Sequence, residues 1–415
     1  MKRPLAERAV RLAALLLFWL PAPAVAQSLP VDRTEPGLLP ILANDPDVGF
    51  RFGVYGQLVR FRDERRPYDW KLQVAAATSV RNGATGAEFP YREVCLRLDR
   101  TRAWIEPLRL TVQAGYLRTT NLGYFGVGNA TPAQSLWQGL PKGSDAYVRA
   151  RHFYQYDAVT PELRATARYR LTPSWSAFAD MNVQWLSIGV FAGSLLERDL
   201  AAGAPFALGD GVQPSLAMGF IYDTRDHETV ATRGWFHEGA VRCGTASGDR
   251  YCGANLTLRG YHSLLGKHLS LAGRLVADVV AGRPPLMELT RFGGLEGTTG
   301  PGGSRGIRGV PQGRLAGQTK LIANLEVRSF LVPFSLGSQR FELGVAAFAD
   351  VGRVWARAFS ASPADGSFRV HWGAGGGPRL RWGDSLLIRA DVAYAPLGAD
   401  LQAAPAVYLD VLQVM

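Results

Sequence analysis

The sequence predicts an all-β chain, a 16-stranded antiparallel transmembrane β-barrel, on three observations. Strands late in the chain alternate, with a period of two, between ionised and aliphatic residues. The chain opens with an export leader, and no later apolar stretch reaches the ~20 residues that a transmembrane helix needs. The length beyond the leader divides into segments of about 9–11 residues plus turns, which suits some 16 strands.

The alternation is clearest between Gly303 and Gly352. From Lys320 to Leu331 the even positions carry Lys320, Asn324, Glu326 and Arg328, and the odd ones Leu321, Leu325, Val327 and Leu331. From Phe341 to Gly352, Glu342, Phe348 and Asp350 oppose Phe341, Leu343, Val345, Ala349 and Val351. Such a strand has a different solvent on each face. In a soluble sheet the apolar face would be a core; in an outer-membrane barrel it meets lipid, and the charged face lines the lumen.

Export decides between them. Lys2, Arg3, Arg8 and Arg11 precede the apolar run from Leu12 to Leu20, followed by Pro21, Pro23 and Ala24-Val25-Ala26. That order is a secretory signal peptide over residues 1–26, cut before Gln27. Gln27 is not a cysteine, so a lipoprotein is not expected. An exported chain with no apolar helix enters a membrane only as a closed barrel, here in the bacterial outer membrane. The 47% hydrophobic content and mean hydropathy of −0.02 fit, because two alternating faces cancel in an average. The 47 glycines, 10 Trp, 14 Tyr and 19 Phe suit turns, bent strands and aromatic girdles. A net charge of +11 would suggest nucleic acid in an unexported chain. Export excludes nucleic acid as a partner and assigns the arginines to a wet lumen and to lipopolysaccharide phosphates.

The elements follow in order. Residues 27–48 read as a short lead-in, a tether or lumen plug, apolar over Leu39–Leu42 and acidic at Asp45 and Asp47. The barrel is expected over 49–415. Its strands are placed at 50–61, 70–80, 90–99, 107–118, 146–157, 161–170, 175–188 and 214–223, then at 234–243, 254–263, 269–281, 318–331, 340–352, 369–381, 385–395 and 405–415. Connections 171–174, 265–267 and 382–384 are short, as periplasmic turns should be. Segments 189–213, 282–317, 354–368 and 396–404 are long, as extracellular loops should be. Residues 119–145 break the rule, being long yet periplasmic by this count.

Five segments, in order and at barrel spacing, carry a family resemblance. Ile307-Arg308-Gly309-Val310 resembles the Val-Arg-Gly-Phe loop motif of the BamA/TamA superfamily, which includes bacterial surface-antigen proteins. Glu326-Val327-Arg328 is similar to its Glu-x-Arg strand, and Phe348-Ala349-Asp350-Val351-Gly352 to its Phe-x-Asp-x-Gly strand. Tyr222–Asp226 with Arg233-Gly234 resembles a turn of the family, and Ile388-Arg389-Ala390-Asp391 its penultimate strand. The resemblance covers about 220–415. It implies that the long loop before the twelfth strand folds into the lumen, where the arginine at its tip, Arg308, pairs with wall carboxylates. Glu326 and Asp350 both point inward by parity and lie on adjacent strands, so either or both can receive it as a planar, bidentate partner. The family's periplasmic POTRA modules have no room in residues 27–48. The final strand ends on Met415, where Phe or Trp is usual.

Other chemistry is sparse. Cys243 and Cys252 bracket a short extracellular segment and can form a disulfide in an oxidising compartment, leaving Cys95 over. No HExxH, GxSxG or P-loop pattern is present, so no metal, cofactor or enzymatic activity is expected. His152, beside Tyr154 and Tyr156, lacks an identifiable serine partner for a lipase-type site. The expected role is a non-enzymatic one: assisting protein insertion or translocation, or perturbing lipid at the barrel seam. A passive pore for small solutes or ions and an outer-membrane lipid hydrolase are the alternatives. Expected partners are outer-membrane lipid and lipopolysaccharide, an unidentified envelope protein, and the barrel-assembly machinery that inserts the chain itself.

Overall fold

The computed structural model describes residues 32–411, apart from 63–64, 132–133, 228–229, 267, 296–297, 337–338, 367–368, 383–385 and 397–404. The signal peptide expected over residues 1–26 and residues 412–415 lie outside these described residues. Sixteen strands form the barrel wall. They are β1 Arg33–Asp45, β2 Gly49–Arg62, β3 Arg65–Asn82, β4 Tyr91–Arg100, β5 Leu108–Gly123, β6 Gln155–Arg170, β7 Trp175–Val190 and β8 Gly211–Asp223. The second half comprises β9 Gly234–Ala246, β10 Asp249–Leu265, β11 Leu269–Gly282, β12 Thr319–Leu336, β13 Gln339–Trp355, β14 His371–Trp382, β15 Leu386–Tyr394 and β16 Ala406–Val411. Each pairs antiparallel with its neighbour in sequence, and β1 meets β16 at Asn44–Leu409, closing the ring.

The period of two governs which side chains face outward. In β7, Ser176, Phe178, Asp180, Asn182, Gln184 and Leu186 are buried, while Trp175, Met181, Val183 and Trp185 are exposed. In β12 and β13, Leu325, Val327, Leu343 and Val345 are exposed, and Lys320, Asn324, Glu326, Arg328 and Asp350 are buried. A polar interior under an apolar exterior is the inverse of a soluble core and matches a wall between lipid and lumen. Aromatic rings gather outside at the short-turn end, where Phe341 stacks between Phe334 and Trp382, with centroids 5.2 and 5.4 Å away.

Two expectations are corrected, and their errors cancel in the strand count. Residues 33–45 are not a lead-in but the first strand, in continuous register with β2 from Arg33–Phe61 to Asp45–Gly49. Pro36, Gly37 and Pro40 disguise it, because prolines withhold ladder donors and usually demote a run to non-strand. Barrel strands therefore begin at Arg33 rather than at 49. Conversely, 146–157 and 161–170 are not two strands. Asp145–His152 forms a helix, α1, capped by Ser144, whose Oγ accepts from the Tyr147 N–H at 3.2 Å. One strand, β6, then runs through Pro161, which is paired with Tyr116 of β5 and falls in a gap of the β7 ladder.

Adding β1 moves residues 119–145 to the long-loop end and removes the anomaly. There Tyr124 packs with Tyr156, Leu186, Leu196, Phe206, Leu286, Leu289 and Ala316. Gly128 bridges to Ala316, and the Arg314 guanidinium donates to the Thr131 hydroxyl at 2.8 Å. Helix α2, Leu195–Ala201, and the short α3, Leu286–Leu289, belong to the same layer. At the tip of the β9–β10 hairpin, Cys243 and Cys252 face each other across the ladder and are joined by a disulfide; Cys95 is a free thiol.

Candidate functional site

Arg308 is fully buried although it sits in the connection between β11 and β12. Its Nε and Nη2 donate to Asp350 Oδ2 and Oδ1 at 2.8 and 2.9 Å, a bidentate fork on β13. Nη1 reaches Glu326 Oε2 on β12 at 3.1 Å and Asp391 Oδ2 on β15 at 3.4 Å. The Phe348 ring lies against the guanidinium, 3.3 Å from centroid to Cζ. Burial acts against the charge, and the hydrogen bonds and charge of Asp350 outweigh it, so the guanidinium is held above its ordinary range. A planar cation between an aromatic face and carboxylates uses properties that lysine lacks.

The wall is shaped for this tip. Gly373, Gly375 and Gly377 follow one another along the inner face of β14. A Cβ at Gly373 would lie 1.9 Å from the Arg308 carbonyl oxygen, and one at Gly375 would lie 2.8 Å from the Phe348 ring. Gly309 holds φ at 92° and abuts the backbone of Tyr394 and Ala395, a conformation and an approach that only glycine allows at low cost. Ile307 and Val310 enter an apolar cluster with Phe292, Leu315, Ile322 and Val354, and Ile307 rests over Gly352.

The sequence-based candidates are thus brought together: Ile307, Arg308, Gly309 and Val310 lie against Glu326, Phe348, Asp350 and Gly352. Arg328 bonds Glu326 at 3.0 Å. Five further residues that sequence reasoning did not assign to the site take part: Asp391, Arg379, Arg389, Asn324 and Tyr408. Arg379 Nη1 donates to Asp391 at 2.6 Å, and Arg389 joins Asp391 at 2.9 Å to Asp410 at 3.1 Å. Asn324 donates to Asp350 at 2.7 Å and to the Gly306 carbonyl at 2.9 Å. Tyr408 of β16 accepts from the Gly309 N–H at 3.1 Å. Asp391 and Arg389 are visible within the penultimate-strand motif and Asn324 by its even position in the alternating strand; Arg379 and Tyr408 carry no local signal. Arg305, the other loop arginine, is exposed.

A second buried cluster holds the base of the same connection. Glu288 of α3 accepts from Arg242 Nε at 2.9 Å and forms an ion pair with Arg291, whose Nε lies 2.7 Å from its Oε1. Arg242 also grips Asp278 at 2.9 and 3.0 Å, and Lys320 bridges Asp278 Oδ1 at 2.9 Å to the Glu288 carbonyl at 2.7 Å. Burial pushes the Glu288 carboxyl up, but Arg291, Arg242 and Lys320 outweigh it and hold it below the usual carboxylate range. A depressed folded-state pKa contributes stability above the unfolded value of about 4.3, lost as pH falls through the folded one. The loop base is therefore expected to stay attached at neutral pH and to loosen only below about pH 4. Pepsin and acid-tolerant protease cleavage within 283–318 at graded pH checks this, and release already at pH 6 would contradict it.

The connection also spans the junction of the first and last strands. Gly309 is bonded to Tyr408 on β16, and the Gln312 N–H donates at 2.8 Å to Asp47 in the β1–β2 turn. Among the described residues β16 pairs with β15 at six positions but with β1 only at Asn44–Leu409, where Asn44 Nδ2 also donates to the Val407 carbonyl at 2.6 Å.

Residues 135–400 match the model of the Omp85 superfamily domain. The chain belongs to the Omp85 superfamily. The barrel of this Omp85 protein aligns with the crystal structure of BamA from Haemophilus ducreyi lacking POTRA domains 1–3, at TM-score 0.55 and 12% identity, over 92% of this chain and 70% of that one. It aligns with CdiB from Escherichia coli at TM-score 0.58 and 12% identity, over 93% of this chain and 63% of that one. At such identity the likeness is one of fold, and the chain spans less than two thirds of CdiB. No curated protein matches the sequence. Membership places the Omp85 chain in the bacterial outer membrane as a transport or assembly barrel.

Proposed function

We propose that this Omp85 barrel assists the insertion or translocation of envelope proteins by opening at the β1–β16 junction, without enzymatic chemistry. We further propose that segment 283–318 is a lumenal latch whose tip, Arg308, governs that opening. The observation that carries the reading is the bridging of the junction by the loop, through Gly309 to Tyr408 and Gln312 to Asp47. A latch bonded to both sides of a sparsely paired seam couples its own release to seam separation. The buried layer around Tyr124, Phe206 and Ala316 over the long-loop end argues against a passive open pore.

The test is a seam lock. Asn44→Cys and Leu409→Cys, in a background with Cys95, Cys243 and Cys252 replaced by serine, place the sole thiols at the paired positions. Vesicles carrying the reduced protein are expected to speed the folding of a small outer-membrane barrel several-fold. Oxidation should abolish that gain and reductant restore it. No acceleration in either state, or a high constitutive conductance in planar bilayers, would defeat the proposal in favour of a pore.

A further inference from the structure

The barrel exterior carries a groove that the seam and the latch do not use. It crosses the outward face of β9 to β14 and has a volume of about 1390 Å³. Small residues floor it: Gly273, Ala323 and Ala349 stand where neighbouring strands present leucine or valine. A Cβ at Gly273 would meet nothing within 4 Å, so the groove is open rather than filled. Trp235 and Trp372 wall its two ends, both rings being about half exposed. Because β9 is entered near its short-turn end and β14 near its long-loop end, the groove runs obliquely across the thickness of the wall.

Its lower mouth is polar and basic. Arg233 immediately precedes β9, and His262 faces the same side on β10, one position beyond the Gly234–Tyr261 pair. Both lie within the lining, and neither side chain has a hydrogen bond or ion pair among the described residues. The nearby Asp226 carboxylate is engaged by the Thr232 hydroxyl and by the Thr232 and Arg233 amides. Just inside, His237 lies between Tyr222 and Trp235, and its Nδ1 is buried without a partner. An apolar trough that begins at a guanidinium, an exposed imidazole and an unpaired ring nitrogen has the polarity of one amphiphile lying lengthwise.

We propose that this groove holds one phospholipid in a fixed position. Its phosphate sits at Arg233 and His262, its ester region beside His237, and an acyl chain lies over Gly273 towards Trp372. Fixed anionic headgroups at basic mouths follow from charge complementarity, and the chain contributes by burying apolar surface in a site that shaped side chains leave vacant.

Native mass spectrometry of the full chain in detergent, titrated with 1-palmitoyl-2-oleoyl phosphatidylglycerol, tests it. One lipid is expected to saturate before any further ones and to survive activation that strips them. Gly273→Leu should lower its occupancy about tenfold. Gly239→Leu, at an equally open outward position outside the groove, should leave it unchanged. Arg233→Gln with His262→Gln lies at the exposed mouth, where folding is least at risk, and should remove the preference for phosphatidylglycerol over the matching diacylglycerol. Equal loss in the two glycine variants, or a statistical ladder of lipids with no distinct first site, would overturn the proposal. A dimer abolished by Gly273→Leu would give the groove to a second copy of the chain and overturn it as well.

Discussion

Arg308→Ala is expected to destabilise the barrel by about 3–5 kcal/mol, the usual cost of stripping one partner from a buried ion pair. The magnitude follows from what stays behind. Asp350 would lose its bidentate partner, keeping Asn324 and the residue 308 N–H, while Glu326 and Asp391 would keep Arg328, Arg379 and Arg389. The uncompensated charge thus falls mainly on Asp350, which is 2% exposed. Asp350→Ala should cost a similar amount, and the double variant should cost less than the sum, with a coupling on the order of 1–3 kcal/mol. Urea unfolding from vesicles measures the energies. Protease added from outside reports the loop, which should resist cleavage in the parent and become cleavable in Arg308→Ala. Additive losses with an already sensitive loop would make Arg308 a bystander of the latch.

The second large effect belongs to the outer face. Leu325→Arg should cost roughly 2–4 kcal/mol, because it places a charge in mid-strand on a surface that is 49% exposed and faces hydrocarbon. Leu336→Arg, at the short-turn end of the same strand, should cost about 0–1 kcal/mol, since its charge reaches the interface. Parallel unfolding of the two variants in vesicles separates depth from mere loss of leucine. Equal costs would mean that the exposed leucines of β12 do not meet the membrane interior.

Much of this fold is legible in β12 and β13, where the charged residues from Lys320 to Arg328 and from Glu342 to Asp350 all fall at even positions and leave a single choice of inward face. That parity also located Glu326 and Asp350 opposite the loop arginine. The limits of such reading are physical. β1 is hidden by Pro36 and Pro40, whose tolerance depends on the strand standing beside a sparsely paired seam, a tertiary fact. The α1 segment reads as a strand because Val148 and Ala150 alternate with Arg149 and Arg151, while the Ser144 cap that starts the helix is a one-residue signal. Asp391 reaches Arg308 and Tyr408 reaches Gly309 because the sheet curls into a ring, bringing β15 and β16 opposite a loop far away in sequence. Closure of that kind leaves no mark in local periodicity.

The paired attachment of the loop between β11 and β12 has a kinetic consequence. Arg308 lies about 20 residues from Glu288 but only about 11 from Thr319, where β12 begins, so a tip freed at Arg308 stays within about 40 Å of the wall. Its local concentration near Asp350 stays far above that of an untethered segment. Release of the tip is then a brief excursion followed by prompt recapture, its duration set by the length of the tether.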